Sequence, residues 1–123
     1  MATRGVRGAV SVPANDEGTI IESTRRMISA AMDLNGIRAE EIAAILFAVT
    51  PDLDRAFPAR AARELGLGSV PLLDFASPRV KGDLPRMVRM LLLWNTGVEQ
   101  ERIRHAYLGE ARNLRPDLAG GGV

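Results

Sequence analysis

Ile42-Ala-Ala-Ile-Leu-Phe-Ala-Val-Thr50 is an uninterrupted apolar run of strand length. Such a run reads as a β-strand buried on both faces. Upstream, Arg4-Gly-Val-Arg-Gly-Ala-Val-Ser-Val12 alternates. Val6, Gly8, Val10 and Val12 point one way and Arg7, Ala9 and Ser11 the other, so this is a strand of period two that Pro13 ends. Between the two, Asn15 or Asp16 caps a helix. Ile20, Thr24, Met27, Ile28, Ala31, Met32 and Asn35 recur at three-to-four spacing along it, and Asn35-Gly36 stops it.

Downstream, Phe57-Pro-Ala-Arg-Ala-Ala-Arg-Glu-Leu-Gly66 reads as a short helix with Pro at its start and Gly at its end. Val70-Pro-Leu-Leu-Asp-Phe75 is a third strand, and its Pro suits a sheet edge. A loop covers residues 77–83. Met87-Val-Arg-Met-Leu-Leu-Leu-Trp-Asn95 reads as a strand that Asn95-Thr96-Gly97 stops, a helix being the competing reading. His105-Ala-Tyr-Leu108 is a short last strand. The order β-α-β-α-β-β-β gives an α+β fold: a sheet with one long and one short helix on one face. Strands this apolar with only two helices leave a sheet face uncovered, and self-association is the natural remedy.

The 123 residues suit a single domain, expected over 1–118, with a flexible Gly-rich tail at 119–123. There is no cysteine and one histidine, His105. That composition excludes disulfides, thiolate catalysis, cysteine-based zinc and any mechanism needing two histidines, and no metal or cofactor is expected. The net charge is +1, a poor footprint for nucleic-acid binding. No apolar stretch approaches the ~20 residues of a membrane span. With neither cysteines nor an apolar export signal, the cytoplasm is the expected compartment.

Phosphate loops, nucleophile elbows and zinc-helix motifs are absent. What stands out is arginine where a charge is costly. Of 16 basic residues only Lys81 is a lysine. Arg89 lies inside the otherwise apolar run Met87–Trp94, where it must pair with an acid or face a cavity. Arg7 lies mid-strand opposite three valines. His105 and Tyr107 share a face, as do Arg60 and Arg63 one helical turn apart. Such a set suits a small dianion, because guanidinium grips carboxylates in a two-pronged fashion. The plainer alternative is that Arg89 pairs with a buried acid and that Arg60 and Arg63 are solvated. His105 reads as a structural strand residue, and Asp52 and Asp54 as loop carboxylates.

Several segments, in order, resemble the monofunctional chorismate mutases of the AroH class. They are Arg4-Gly-Val-Arg-Gly-Ala, Thr50-Pro-Asp-Leu-Asp-Arg-Ala-Phe-Pro-Ala-Arg-Ala-Ala-Arg-Glu-Leu65, Val70-Pro-Leu-Leu, Arg104-His-Ala-Tyr-Leu108 and Leu114-Arg-Pro-Asp-Leu118. The resemblance implies an α+β fold with a mixed β-sheet and a homotrimer in a pseudo α/β-barrel, with active sites between subunits. The reaction it implies is the Claisen rearrangement of chorismate to prephenate, on the route to phenylalanine and tyrosine. Arg7, Arg89 and Tyr107 match the residues that hold the side-chain carboxylate and ether oxygen. Phe57, Ala59, Arg60, Arg63, Leu72 and Leu73 match the wall and opposite rim, and Leu114 and Arg115 the segment that covers the cleft. A unimolecular rearrangement needs no nucleophile, base or metal, which fits the missing motifs.

One position departs from the pattern. The family usually carries Glu where this chain has Ser77, and a small residue where it has Asp74. Asp74 is therefore expected to take over the carboxylate's task and order Arg89. The change also keeps two alternatives open: a mutase acting on a modified chorismate such as 4-amino-4-deoxychorismate, and a non-catalytic trimeric binder of a small dicarboxylate.

Overall fold

Strands β1 (Ala2–Ser11) and β4 (Met87–Thr96) pair antiparallel along their whole length and form the middle of the sheet. On one side of this pair lie β2 (Ile42–Val49), antiparallel to β4, and β3 (Leu72–Ala76), parallel to β2. On the other lies β5 (Ala106–Leu108), parallel to β1. The five-stranded order is β3-β2-β4-β1-β5, a mixed sheet with β3 at an edge, as Pro71 suggested. The structure is a computed structural model and describes residues 1–113. Leu114, Arg115 and the tail at 119–123 lie outside the described residues.

Helix α1 (Glu17–Asn35) begins where Asp16 accepts the Thr19 N–H at 2.8 Å. It ends where Gly36 adopts φ 68°, the left-handed conformation glycine takes without strain. Its Ile20, Thr24, Met27, Ile28 and Ala31 are buried. They meet Val6, Val10, Ile45, Phe47 and Leu92 in one core to which α2 (Ala59–Glu64) adds Ala59, Ala61 and Ala62. Both helices cover the same sheet face. Truncating fully buried Phe47 or Leu92 would remove roughly 2–5 kcal/mol.

The opposite face is left uncovered, as so few helices implied, and this corrects the reading of β2. In β2 only Ile42, Ile45 and Phe47 are buried; Ala44, Leu46 and Ala48 are partly exposed. The strand is therefore not buried on both faces within one chain. Register decides which side chains share the open face. Phe75, Ala48, Arg89, Ala9 and Tyr107 are successive neighbours across all five strands, and Leu73, Leu46, Leu91 and Arg7 form the next row. A bulge between Ile42 and Ala44 keeps Ile42 on the core side opposite Trp94.

The β3–β4 loop is pinned at its far end. Both Asp52 oxygens accept the Arg86 N–H, at 2.9 and 3.2 Å, and Asp52 Oδ1 accepts the Thr50 hydroxyl at 2.6 Å. Burial pushes this carboxyl up, but these donors outweigh it and hold it below the ordinary 3.8. The folded state therefore favours the carboxylate, so its contribution is complete above pH 3.8 and is lost as the pH falls below it. Asp52→Asn is expected to cost at most about 1 kcal/mol at neutral pH, since the site is exposed and screened. Melting curves should show the variant less sensitive than the wild type to acidification below pH 3.8.

Candidate active site

Arg89 is the charged group that the sheet brings closest to burial on its open face. Its neighbours in sequence, Val88 and Met90, point into the core. Its guanidinium reaches Asp83, with Nη2 donating to Oδ1 at 2.9 Å and to Oδ2 at 3.1 Å, while Nη1 lies 3.5 Å from Ser77 Oγ. The Arg89 and Asp83 side chains keep 31% and 25% of their surface, so the pair is screened less than a surface ion pair. Arg89 lines a shallow apolar depression of about 440 Å³ with Phe75, Ala48, Pro78 and Leu91. Tyr107 stands in the same row, buried against Ala9, Met87 and Ala111 with Leu84 over it.

Arg7 is one row away, exposed, and shares a cleft with Gly5, Leu91, Gln100 and His105. His105 has a structural task here: its Nδ1 accepts the Arg7 backbone N–H at 2.9 Å.

A second cleft, of about 460 Å³, opens on the other side of β3. Phe57, Arg60, Arg63 and Asp74 line it, together with Glu17 from the first turn of α1. Phe57 is 71% exposed, an unusual state for phenylalanine in a lone chain. Arg60 is held by Glu17 at 3.1 Å and Glu64 at 3.0 Å, and these acids raise its proton affinity. Ala59 is buried in the core and Leu72 packs against it, whereas Leu73 is exposed on the open face. Phe75 and Ala76 border both depressions, so the edge strand separates them.

This geometry corrects one expectation. Asp74 does not order Arg89. It sits in the row of Phe47 and Met90, on the helix side, where Oδ1 accepts the Ala59 N–H at 3.0 Å. Burial pushes its carboxyl above the ordinary 3.8, against the pull of that N–H and of nearby Arg63. The carboxylate on Arg89 is Asp83, which the sequence reading passed over. The hold of Glu17 on Arg60 was also missed. No local signal marks either: Glu17 reaches Arg60 from a distant element, and Asp83 reaches Arg89 from an irregular loop whose course the sequence pattern does not define. Asp52 and Asp54 are structural, as their loop position suggested: Asp52 holds Arg86, and Asp54 accepts the Asn15 amide at 2.8 Å. Among the described residues no three His, Cys, Asp or Glu side chains gather as a metal set.

The chain matches the family model of chorismate mutase type I over residues 3–118. It belongs to the chorismate mutase type I family. It is 49% identical to chorismate mutase AroH of Thermus thermophilus over 116 residues, covering 94% of this chain and 95% of that one. It is 37% identical to chorismate mutase AroH of Bacillus subtilis (strain 168) over 120 residues, covering 97% and 94%. Its fold is similar to that of a solved chorismate mutase from Clostridium thermocellum, with a TM-score of 0.87 and 35% identity over 89% of this chain and 97% of that one. The α+β architecture read from the sequence is thus that of a chorismate mutase. In the single chain the two depressions on either side of β3 do not merge into one cavity.

Proposed function

We propose that this protein is a chorismate mutase that converts chorismate to prephenate at clefts shared by neighbouring subunits of a homotrimer. The observation that carries the reading is the open-face row in which Arg89 borders an apolar depression, with Tyr107 buried two strands away in the same row. The reaction breaks a C–O bond and forms a C–C bond within one molecule, so no group is transferred to the protein. Two requirements remain. The substrate must be held compact, with its two reacting ends in contact, and the negative charge that grows on the ether oxygen must be stabilised.

Arg89 meets the second requirement. Its guanidinium is fixed by Asp83 before any ligand arrives, so little reorganisation accompanies the rise of charge. Because the ether oxygen is more negative in the transition state than in chorismate, the contact accelerates the step rather than merely tightening binding. Arg7 and Tyr107 hold the side-chain carboxylate. Phe57, Leu73 and the rim arginines Arg60 and Arg63 come from the neighbouring subunit and restrict the ring. Asp74 acts from behind, bonding the first residue of α2 and so fixing the segment that presents Phe57. Ser77 adds a weak hydroxyl contact to Arg89.

The uncovered face supports the trimer. Leu73, Phe75 and Leu91 expose 57%, 50% and 38% of their surface on one side of a sheet whose other side is packed. Among the described residues no helix is long and apolar enough to cross a membrane. The working compartment we take to be the cytoplasm. A strain lacking chorismate mutase tests the function: this gene should restore growth without phenylalanine and tyrosine, and the Arg89→Ala allele should not.

A further inference from the structure

The β3–β4 loop delivers a carboxylate to Arg89 from a held position. At its turn, Gly82 adopts φ 88° and the Asp83 N–H donates to the Val80 carbonyl at 3.1 Å. The Leu84 N–H donates to Asp83 Oδ1 at 2.9 Å, which orients the carboxylate itself. At the loop's end Arg86 is clamped three ways. Its N–H lies on Asp52, its carbonyl accepts the Val12 N–H at 2.8 Å, and its Nε donates to the Val12 carbonyl at 3.0 Å. The loop's geometry thus fixes where Asp83 stands, and both of its oxygens converge on a single nitrogen, Arg89 Nη2.

We infer that Asp83 is a positioning residue for Arg89, holding the guanidinium by one terminal nitrogen and leaving its other donors for the substrate's ether oxygen. The inference rests on the chorismate mutase reading above. A free arginine on an open strand samples many rotamers, and the bond to Asp83 selects one of them before substrate binds. The carboxylate also offsets part of the cation's field. That offset is screened at a partly exposed pair, whereas a misplaced donor loses about 10²-fold in rate. Orientation therefore outweighs dilution. Asp83 supplies what Ser77 cannot: its hydroxyl is neutral and sits at the 3.5 Å limit of a contact with Nη1. The carboxylate reaches the arginine from the following loop rather than from the end of β3.

The test is steady-state kinetics on chorismate with Asp83→Ala, Asp83→Asn and Asp83→Glu, each checked by melting temperature and sedimentation. In Asp83→Ala, kcat should fall about 10- to 100-fold while KM moves less than about threefold. Asp83→Asn, nearly isosteric, should lose most of the same activity, and Asp83→Glu should retain more than either. In an Arg89→Ala background, removing Asp83 should change nothing further, because it acts only through that arginine. An unchanged or increased kcat in Asp83→Ala and Asp83→Asn overturns the inference, as does a loss confined to KM or one equally large without Arg89. A wild type that does not turn over chorismate contradicts the activity itself, which is a separate result.

Discussion

Arg89→Ala is expected to lower kcat for chorismate rearrangement by about 10³-fold or more, leaving the fold and the oligomer intact. Loss of one preorganised donor to a developing oxyanion typically costs about 10²–10³. Here the donor carries a full charge and is partly buried, with 31% of its side chain exposed. KM should change far less, because the ether oxygen gains most of its charge only as the bond breaks. The fold should survive, since the side chain leaves the open face while Val88 and Met90 keep the core filled. Arg89→Lys should fall between the two, keeping the charge but not the planar fork. Chorismate consumption followed by ultraviolet absorbance, with circular dichroism and sedimentation on the same samples, would measure all of this. A loss of less than tenfold in Arg89→Ala would remove the electrostatic part of the account.

The second large effect concerns assembly. Leu91 lies on the open face in the row of Leu46, Leu73 and Arg7, 38% exposed. In the proposed trimer that face is apolar and dry, and a carboxylate placed there is desolvated, a cost of several kcal/mol that neighbouring Arg7 offsets only in part. Leu91→Glu should therefore dissociate the protein to monomers while leaving the helix-covered core folded. Activity should fall at least about 10²-fold, because Phe57 and the rim arginines would no longer face Arg89. Sedimentation velocity reads the mass and the absorbance assay the rate. A monomer with full activity would show that one chain carries a complete site.

The strand periods carried much of the fold. The alternation of residues 4–12 placed Arg7 and Ala9 on one face and the valines on the other, and the sheet register keeps that division. The apolar runs of β2 and β4 marked central strands. With only two helices to cover such strands, an open sheet face was legible too, but not what covers it, because hydrophobic sequence looks the same whether the cover is intramolecular or a second copy.

The site was legible in its cations and less so in its anions. Arg89, Arg7 and Tyr107 stood out because charge and polarity are expensive in such runs. The assignment of Asp74 failed on parity. Residues 74 and 77 are an odd number apart, and along an extended chain odd separations point to opposite faces, so one could not stand in for the other beside Arg89. Asp83 was hidden for a different reason. A loop side chain's reach depends on where the loop is tied, and here the ties are Asp52, Thr50 and Val12, all distant in sequence.

The most direct test of the central claim is to incubate the pure protein with chorismate and identify the product by NMR. The account predicts stoichiometric conversion to prephenate without added metal or cofactor, from a particle of trimer mass, and its loss in Arg89→Ala. A folded trimer that leaves chorismate untouched, or that rearranges only 4-amino-4-deoxychorismate, would contradict it.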